Sequence, residues 1–336
     1  MNKPALDLFY ALVTGAAEFY GADPALAVQG KQYSIDIPQE TRLIGNIQQK
    51  SNFLERINCI QVTDVEGQLV FGATESHITG RKASGRFRKQ LDKSGYKYKL
   101  AETDSGVLIP WQKMDQWARF GDKFAELYAN FVQTQIALDM LKIGFYGTSV
   151  AANTTAADLA DVNKGWFQFV RENKAENMIA RGAEENKIKI FGEGADFNNL
   201  DELAYALKQG LGERHRDGND LVFFVGADLV AHQSQIIYGK HGLTPTERSA
   251  LQINELMSSF GGMPAVTPPN MPGKAAFVTS YDNLSIYIQE KSIRRGMKDD
   301  DELKAVKDSY YRMEGYVVED VTKFVGIEFA NVVIGK

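Results

Sequence analysis

The sequence predicts an α+β fold in which a frame of helix and antiparallel sheet carries a central αβα module at about residues 155–270. Apolar residues at alternating spacings of three and four between residues 117 and 145 indicate a long amphipathic helix. A turn, a buried strand and a helix follow one another in "DGNDLVFFVGADLVAHQSQIIYG", which is typical of an α/β unit. Leu284, Ile286 and Ile288 alternate with residues facing the other way, which indicates a strand of the closing antiparallel sheet.

The N-terminal third contains two predicted helices, at residues 5–20 and 40–57, separated by an irregular stretch that ends at Pro38. The stretch "NCIQVTDVEGQLVFG" after the second helix has the pattern of a hairpin, with Glu66 and Gly67 at the turn.

Residues 77–99, here called the basic loop, differ in composition from the rest of the chain. Eight cations stand against one acid, Asp92, and the apolar residues are scattered. Such a segment cannot build a core of its own, so we expect it to project as an extended excursion. The candidate contact residues within it are Arg81, Lys82, Arg86, Arg88, Lys89 and Lys93.

Three roles are open for the basic loop. It is a solvated loop, a nucleic-acid contact with Phe87, Tyr96 and Tyr98 between its cations, or a contact with an acidic face of a neighbouring copy. The net charge of −5 favours contact with a copy, because nucleic acid would repel most of the molecule. The acidic faces available are residues 192–202 and the acidic run 299–302. The acidic run consists of Asp299, Asp300, Asp301 and Glu302.

The long helix is predicted to begin near Trp111 or Asp115 and to end at "GFYGTS", residues 144–149, with Gly147 as its C-cap. Its predicted packing residues are Trp117, Phe120, Phe124, Leu127, Phe131, Leu138, Leu141 and Phe145. The glycine and hydroxyl residues after it do not form a phosphate site, because anions bind at the N-terminal end of a helix and this is the C-terminal end.

The remaining elements follow in order. Asn199 is the predicted N-cap of a helix, with Asp201 and Glu202 in its first turn. Further predicted elements are a helix at 158–173, a strand in "NKIKIFGEG", a helix at 246–260, a strand region in "KAAFVTSYDNLSIYIQEKSIRR", a charged excursion in "GMKDDDELKAVKD" and two closing strands in "YYRMEGYVVEDVTKFVGIEFANVVIG".

No catalytic residue, cofactor or metal is predicted. The histidines at positions 77, 215, 232 and 241 are far apart, and Cys59 is the single cysteine, so neither a metal pattern nor a disulfide framework exists. The contiguous acids of the acidic run lack the spacing of a calcium loop. One enzyme-like feature is left open, the strand-to-helix turn at Gly226 and Asp228, where the simpler interpretation is a helix N-terminus.

The chain has 38 basic and 43 acidic residues among 336, an ordinary composition for a globular protein. Neither a signal peptide nor an apolar stretch of about 20 residues is evident, so we expect a soluble protein made in a cytoplasm, without a membrane partner.

Several short stretches carry a resemblance to a known family. They are "SNFLERIN" at 51–58, "DQWARF" at 115–120, "LDMLKIGFYG" at 138–147, "DVNKGW" at 161–166, "NLSIY" at 283–287 and "YVVED" at 316–320. In this order they resemble the major capsid proteins of peduovirus-type tailed phages, which have the HK97-like fold. The resemblance implies an N-terminal arm at 1–58, an E-loop hairpin at 59–109, a spine helix of the P-domain at 110–154, an A-domain at 155–275 and closing P-domain strands at 276–336.

The resemblance also implies function and partners. Copies of such a protein assemble into hexamers and pentamers of an icosahedral shell that encloses double-stranded DNA. Its further partners would be a scaffolding protein that is also the maturation protease, and a portal protein at one vertex. The protease would remove the first 30 to 40 residues, and the E-loop would lie across a neighbouring subunit. The alternatives are an encapsulin-type shell protein, which shares the fold, and an α/β enzyme built around Gly226.

Overall fold

The computed structural model describes residues 1–69, 79–88, 96–241 and 258–335. In these residues the α-helices are α1 (Lys3–Phe19), α2 (Pro24–Val28), α3 (Ile37–Gln48), α4 (Trp111–Trp117), α5 (Phe124–Tyr146), α6 (Trp166–Asn173), α7 (Leu200–Gly210) and α8 (Ala227–His241). The strands are β1 (Tyr33–Ser34), β2 (Asn58–Val62), β3 (Glu66–Gln68), β4 (Lys97–Lys99), β5 (Ala101–Pro110), β6 (Met178–Ile179), β7 (Ile188–Ile190), β8 (Val222–Val225), β9 (Ser259–Phe260), β10 (Met263–Val266), β11 (Ala276–Thr279), β12 (Leu284–Gln289), β13 (Arg294–Asp300), β14 (Ala305–Val318), β15 (Val325–Ile327) and β16 (Val332–Ile334). Helix and sheet are thus mixed in the way that the sequence predicts for an α+β fold.

The chain forms two compact units, each assembled from separate stretches. The first unit comprises Met1–Glu66, Lys99–Met140 and Ile286–Gly315. The second unit comprises Gly67–Tyr98, Leu141–Ser285 and Tyr316–Lys336.

The first unit is organised around a six-stranded sheet with the order β1-β13-β14-β12-β2, in which β5 also pairs with β14. Strands β13 and β14 are antiparallel neighbours, with Asp300 opposite Ala305 at the closed end of the hairpin. Strand β5 pairs with β14 over its whole length, from Pro110 opposite Ala305 to Ala101 opposite Glu314. The predicted charged excursion is therefore the end of a strand hairpin.

Helices α1 and α5 supply apolar faces to the first unit. In α1 the buried residues are Ala5, Phe9, Leu12, Val13 and Ala17, which recur at the spacing of one helical face. In α5 they include Phe124, Tyr128, Val132, Ile136 and Met140, at intervals of four. The predicted helix is interrupted before α5, because Gly121 has φ 54° and ψ −131°, and the segment Ala118–Lys123 is a 3₁₀ turn. A non-glycine residue would be strained at this φ, so Gly121 permits the break.

Two ion pairs are buried in the sheet of the first unit. Nη2 of Arg295 lies 3.0 Å from Oδ2 of Asp308, and the hydroxyl of Tyr128 donates to the same oxygen at 2.8 Å. On β14, Nε of Arg312 donates to Oε2 of Glu314 at 2.6 Å. Charged groups are rarely buried unless they are paired, and here each has a direct partner.

The second unit is built on another six-stranded sheet, with the order β6-β15-β11-β8-β10-β9. Strand β8 is buried along its whole length, as its run of apolar residues predicts. It pairs in parallel with β10 and antiparallel with β11. Strands β11 and β15, from the predicted closing region, are thus in the same sheet as β8 from the predicted A-domain.

Helix α5 ends at Tyr146, immediately before Gly147, as predicted. Close packing explains the small residues here: a Cβ on Gly144 would lie 2.4 Å from the ring of Trp166. The Trp166 indole donates to the carbonyl of Ser285 at 3.1 Å and meets Phe145 edge to face at 5.1 Å. Ser149 is exposed, so this stretch is a packing junction, as predicted for Phe145.

Two predicted boundaries in the N-terminal third were wrong. The second helix ends at Gln48 instead of residue 57, and a series of turns follows it. The hairpin with Glu66 and Gly67 at its turn does not form, because β2 pairs with β12 and β3 pairs with β4. Short-range alternation indicates strands but does not identify their partners when the pairing is between residues distant in sequence.

Candidate assembly interface

The end of the basic loop pairs with a short strand that precedes the loop in the chain. Strands β3 and β4 form a two-stranded sheet. The Leu69 amide donates to the carbonyl of Tyr96 at 3.4 Å, and the Leu100 amide donates to the carbonyl of Val65 at 2.8 Å. Pairing between β3 and β4 holds the two ends of the excursion together, even though the excursion has little core of its own.

Residues 79–88 of the basic loop present their cations to solvent. The side chains of Arg81, Lys82, Arg86 and Arg88 are exposed and make no ion pair with any described residue. Phe87 is half-buried, and a Cβ on Gly80 would lie 2.7 Å from its ring, so this ring packs on the glycine backbone. Lys89 and Lys93, also predicted as contact residues, lie outside the described residues.

The acidic run has two kinds of residue. Asp299 accepts a hydrogen bond from the indole of Trp111 at 2.7 Å, and Asp300 pairs with Lys307 at 2.5 Å. The hydrogen bond from Lys307, joined by one from the Leu303 amide, holds the pKa of the Asp300 carboxyl below its usual range. Asp301 and Glu302 are exposed at the hairpin turn. Two of the four predicted acids are therefore already used inside the chain.

The same turn presents an apolar side chain that the sequence analysis did not select. Leu303 has 53% of its surface exposed. Its amide donates to Oδ1 of Asp300 at 3.1 Å, and the amide of Lys304 donates to the carbonyl of Asp301 at 3.3 Å. The amide of Trp111 donates to the carbonyl of Lys304 at 3.0 Å. Local hydrogen bonds thus fix the backbone that carries the exposed leucine and the two exposed acids. In the sequence, the only indication of this exposed side chain is that Leu303 is a single leucine between charged residues.

The packing residues predicted for the long helix fall into three groups, and part of that prediction needs correction. Phe124, Leu141 and Phe145 are buried, whereas Trp117 and Leu138 are half-buried. The others are exposed and form what we call the outer stripe, namely Phe120 at 44%, Leu127 at 51% and Phe131 at 58%.

The outer stripe is exposed because α5 has apolar residues on more than one side. Either stripe fits helical spacing, and the structure buries the one that contains Tyr128, Val132 and Ile136. The three residues of the outer stripe therefore leave about half of their surface uncovered by the described part of the chain.

The strand-to-helix turn at Gly226 is filled by the chain itself. A Cβ on Gly226 would lie 2.2 Å from the carbonyl oxygen of Gly273. The Gly226 amide donates to the carbonyl of Ala275 at 2.8 Å, and the Asp228 amide donates to that of Gly273 at 3.1 Å. A phosphate held here would need the space and the amides that residues 273–275 occupy. A phosphate site at Gly226, which the enzyme alternative was built around, is therefore not formed.

Two kinds of feature are absent from the described residues. No group of three or more His, Cys, Asp or Glu side chains in that part of the chain is arranged to hold a metal ion. Among the described helices, none has the length and apolar content needed to cross a membrane.

Comparison with known families decides what this arrangement belongs to. The model of one family, described as phage major capsid protein, P2 family, matches residues 8–329. The chain belongs to the P2 family of phage major capsid proteins. The resemblance seen in the short sequence stretches is therefore confirmed, and the encapsulin alternative is not favoured.

Individual relatives agree with this membership. The P2-family chain is 28% identical over 326 residues to a protein of Escherichia phage P2 named "Capsid proteins", covering 93% of this chain and 90% of the relative. It is 28% identical over 349 residues to the major capsid protein of Serratia phage KSP20, covering 98% and 99%. The solved procapsid of satellite phage P4, which includes the size determination (Sid) protein, matches with a TM-score of 0.77 and 26% identity. That match covers 93% of this capsid protein and 96% of the procapsid chain, and it confirms the HK97-like fold class.

Proposed function

We propose that copies of this capsid protein assemble into hexamers and pentamers, and that these form an icosahedral shell around double-stranded DNA. The observation that carries the proposal is the family match over residues 8–329, which includes both compact units. Three exposed features support the proposal: the cations at residues 79–88 of the basic loop, Asp301 and Glu302 of the acidic run, and the outer stripe. A shell subunit needs such surfaces to contact its neighbours.

We further propose that the basic loop contacts the acidic run of a neighbouring copy. Among the four acids of the run, Asp301 and Glu302 carry the exposed charge, since Asp299 and Asp300 are engaged within the chain. Opposite charges across an interface steer association and fix its register. The exposed Arg81, Lys82, Arg86 and Arg88 are the described cations for this contact, with Lys89 and Lys93 completing the set.

The proposed domains and partners follow the same capsid scheme. The arm at 1–58, E-loop at 59–109, spine segment at 110–154, A-domain at 155–275 and closing strands at 276–336 are its parts. The partners are a scaffolding protein that is also the maturation protease, a portal protein at one vertex, and packaged DNA bound without sequence preference. We place shell assembly in the host cytoplasm.

Removal of the first 30 to 40 residues by the protease is also part of this scheme. The exposure of Gln29, Lys31 and Gln32 supports a cut in this stretch, because a protease needs access to an exposed backbone.

Negative-stain electron microscopy of the chain, expressed with and without its cognate scaffold, tests the proposed function. The expected result is closed shells with the scaffold, and rings or irregular shells without it. Stable monomers in the presence of the scaffold would contradict shell formation. Small discrete oligomers under both conditions would contradict it as well.

A further inference from the structure

Two short segments of the second unit meet at a cluster of charged side chains. Arg214 and His215 end one 3₁₀ turn, and Asp320 precedes another. Nη2 of Arg214 lies 2.7 Å from Oδ2 of Asp320. Nε2 of His215 lies 2.9 Å from the same oxygen, and Nε of Arg214 lies 2.8 Å from that Nε2. One imidazole nitrogen is thus within hydrogen-bond distance of both a cation and a carboxylate.

These two contacts of His215 exclude one another. An imidazole nitrogen accepts a hydrogen bond when it carries no proton and donates one when it does. When Nε2 carries no proton, as in the neutral ring protonated on Nδ1, it accepts from Nε of Arg214; when it carries one, as it must in the imidazolium, it donates to Oδ2 of Asp320. The cluster therefore has two discrete arrangements that differ in the position of one proton.

The surroundings keep Asp320 in place while the other groups change partners. Oδ1 of Asp320 accepts from the amide of Thr322 at 2.9 Å and from its hydroxyl at 2.6 Å. The Asp320 amide donates to Oδ1 of Asn283 at 2.7 Å. Burial would raise the pKa of the Asp320 carboxyl, but the hydrogen bonds from Thr322 and the charges of Arg214 and His215 lower it overall. The carboxylate is thus a fixed and ionised acceptor.

The charges of the cluster indicate which cation leaves it when His215 gains a proton. Lys323 pairs with Asp220, which also feels the charge of His215. With His215 neutral, two cations face two carboxylates, and protonation adds a third cation. Arg214 is the most solvent-accessible of the three cations, with 42% of its side chain exposed against 18% for His215 and 18% for Lys323. Because Arg214 already borders water, it can turn outward with less rearrangement of the surrounding side chains than either of the others.

We propose that Arg214, His215 and Asp320 form a proton-operated switch. When His215 is protonated, its Nε2 takes over Oδ2 of Asp320 and the Arg214 guanidinium turns outward into solvent. The two arrangements are compared at pH 8 and pH 5.5, on either side of the neutral range in which histidine side chains act as switches. The switch adds an outward-facing cation to the surface of the second unit in mild acid, and it does not depend on shell assembly.

Double-mutant cycles on the unassembled full-length chain test the switch. The variants are Arg214→Gln, His215→Gln and Asp320→Asn, and the readout is the unfolding equilibrium constant from denaturant titrations at both pH values. At pH 8 we expect Arg214 and Asp320 to be coupled by about fivefold, the upper range for a partly exposed ion pair. At pH 5.5 that coupling should disappear, and a coupling between His215 and Asp320 should take its place.

His215→Gln is the matched control, since glutamine stays neutral over this range. In that background the coupling of Arg214 with Asp320 should be equal at the two pH values. A loss of coupling at pH 5.5 that persists in the His215→Gln background would overturn the proposal, as would unchanged coupling in the wild-type chain.

A second readout covers the case in which Asp320→Asn does not fold. Protection of the Arg214 Nε–H against solvent exchange, relative to the unfolded chain, should fall by about fivefold from pH 8 to pH 5.5 in the wild type. It should stay constant in His215→Gln, and equal protection in both proteins at both pH values would overturn the switch.

Discussion

Arg295 and Asp308 form an ion pair across β13 and β14 in which both side chains are almost fully buried, at 5% and 0% exposure. Burial alone would lower the pKa of Arg295, but the charge and hydrogen bond of Asp308, together with Tyr310 and Tyr20, outweigh burial and hold that pKa well above its ordinary value. The rings of Tyr310 and Tyr20 lie 4.7 Å and 5.5 Å from the guanidinium carbon. Tyr20 comes from the end of the N-terminal helix, so the proposed arm helps to enclose the pair.

Removing one member of this ion pair should lower the free energy of unfolding substantially. Asp308→Asn should lower the free energy of unfolding by about 3–5 kcal/mol, because it leaves the Arg295 charge buried without a carboxylate. Denaturant titration of the unassembled chain measures this. Asp300→Asn, at the Asp300–Lys307 pair of the same hairpin, in which Lys307 is 44% exposed, is the control and should change stability much less. Equal effects of the two variants would mean that burial of the first pair has no energetic consequence.

Alkaline pH should destabilise the first unit through Tyr33, which is half-buried. Burial is the main cause that raises the pKa of Tyr33 from 10.0 to about 12; Arg295 opposes it, and Asp308 and Tyr20 add to it. A group with a raised pKa contributes its full stability below the unfolded value and loses it as the pH rises to the folded value. The free energy of unfolding should therefore fall between pH 10 and pH 12, and Tyr33→Phe should make that fall less steep. An unchanged slope in Tyr33→Phe would show that another group carries the effect.

Truncating a buried and an exposed residue of α5 should change the free energy of unfolding by very different amounts. Ile136→Ala should cost about 2–5 kcal/mol, because Ile136 is only 4% exposed and its loss leaves a cavity. Phe131→Ala, although it removes a larger side chain, should change the stability of the unassembled chain by no more than about 0.5 kcal/mol, since Phe131 is 58% exposed. Thermal unfolding of the two variants, measured side by side, checks which face of α5 is buried. A reversed order would restore the packing role originally predicted for Phe131.

Two helical glycines should also differ on substitution. Gly144→Ala should destabilise the chain despite alanine's higher helix propensity, because the added methyl would lie 2.4 Å from the Trp166 ring. Gly45→Ala in α3 should stabilise it by about 0.4–1 kcal/mol, since no heavy atom lies within 4 Å of the added Cβ. Denaturant midpoints measure both changes, and a stabilising Gly144→Ala would show that the contact with Trp166 relaxes without cost.

Reversing the charges of Arg86, Arg88 and Lys89 to glutamate should block shell formation while leaving the subunit folded. The reason is that the proposed contact pairs these cations with acids of a neighbour. Electron microscopy scores the shells, and circular dichroism confirms the fold. Reversal of Lys3, Arg42 and Lys113, exposed cations outside the basic loop, is the control for net charge. Adding Asp301→Lys and Glu302→Lys to the loop variant should restore assembly, and normal shells from the loop variant itself would exclude the basic loop from the interface.

Prediction from sequence worked where the pattern was local. The strand at Val222–Val225, the Asn199 cap, whose side chain accepts from the Glu202 amide, and the end of the long helix before Gly147 were each predicted from neighbouring residues. The break at Gly121 was missed because glycine inside a helical pattern is tolerated often enough not to signal an interruption. The partners of β2 and β3 were missed because strand pairing depends on residues far away in the chain.

The candidate interface shows the same division. Composition alone identified the basic loop and the acidic run, because charge that cannot be buried must be on the surface. Which acids stay available was not readable from the sequence, since Asp299 and Asp300 are engaged by Trp111 and Lys307, which lie elsewhere along the chain.

The sequence by itself determined the α+β class, the capsid family and the location of the exposed charge, because these depend on local periodicity, matching stretches and composition. The tertiary structure decided which of two apolar stripes on α5 is buried. It also brought Arg295 to Asp308 and placed His215 between Arg214 and Asp320. Those outcomes depend on contacts between distant segments, where free energy is gained only when particular side chains meet in the folded chain.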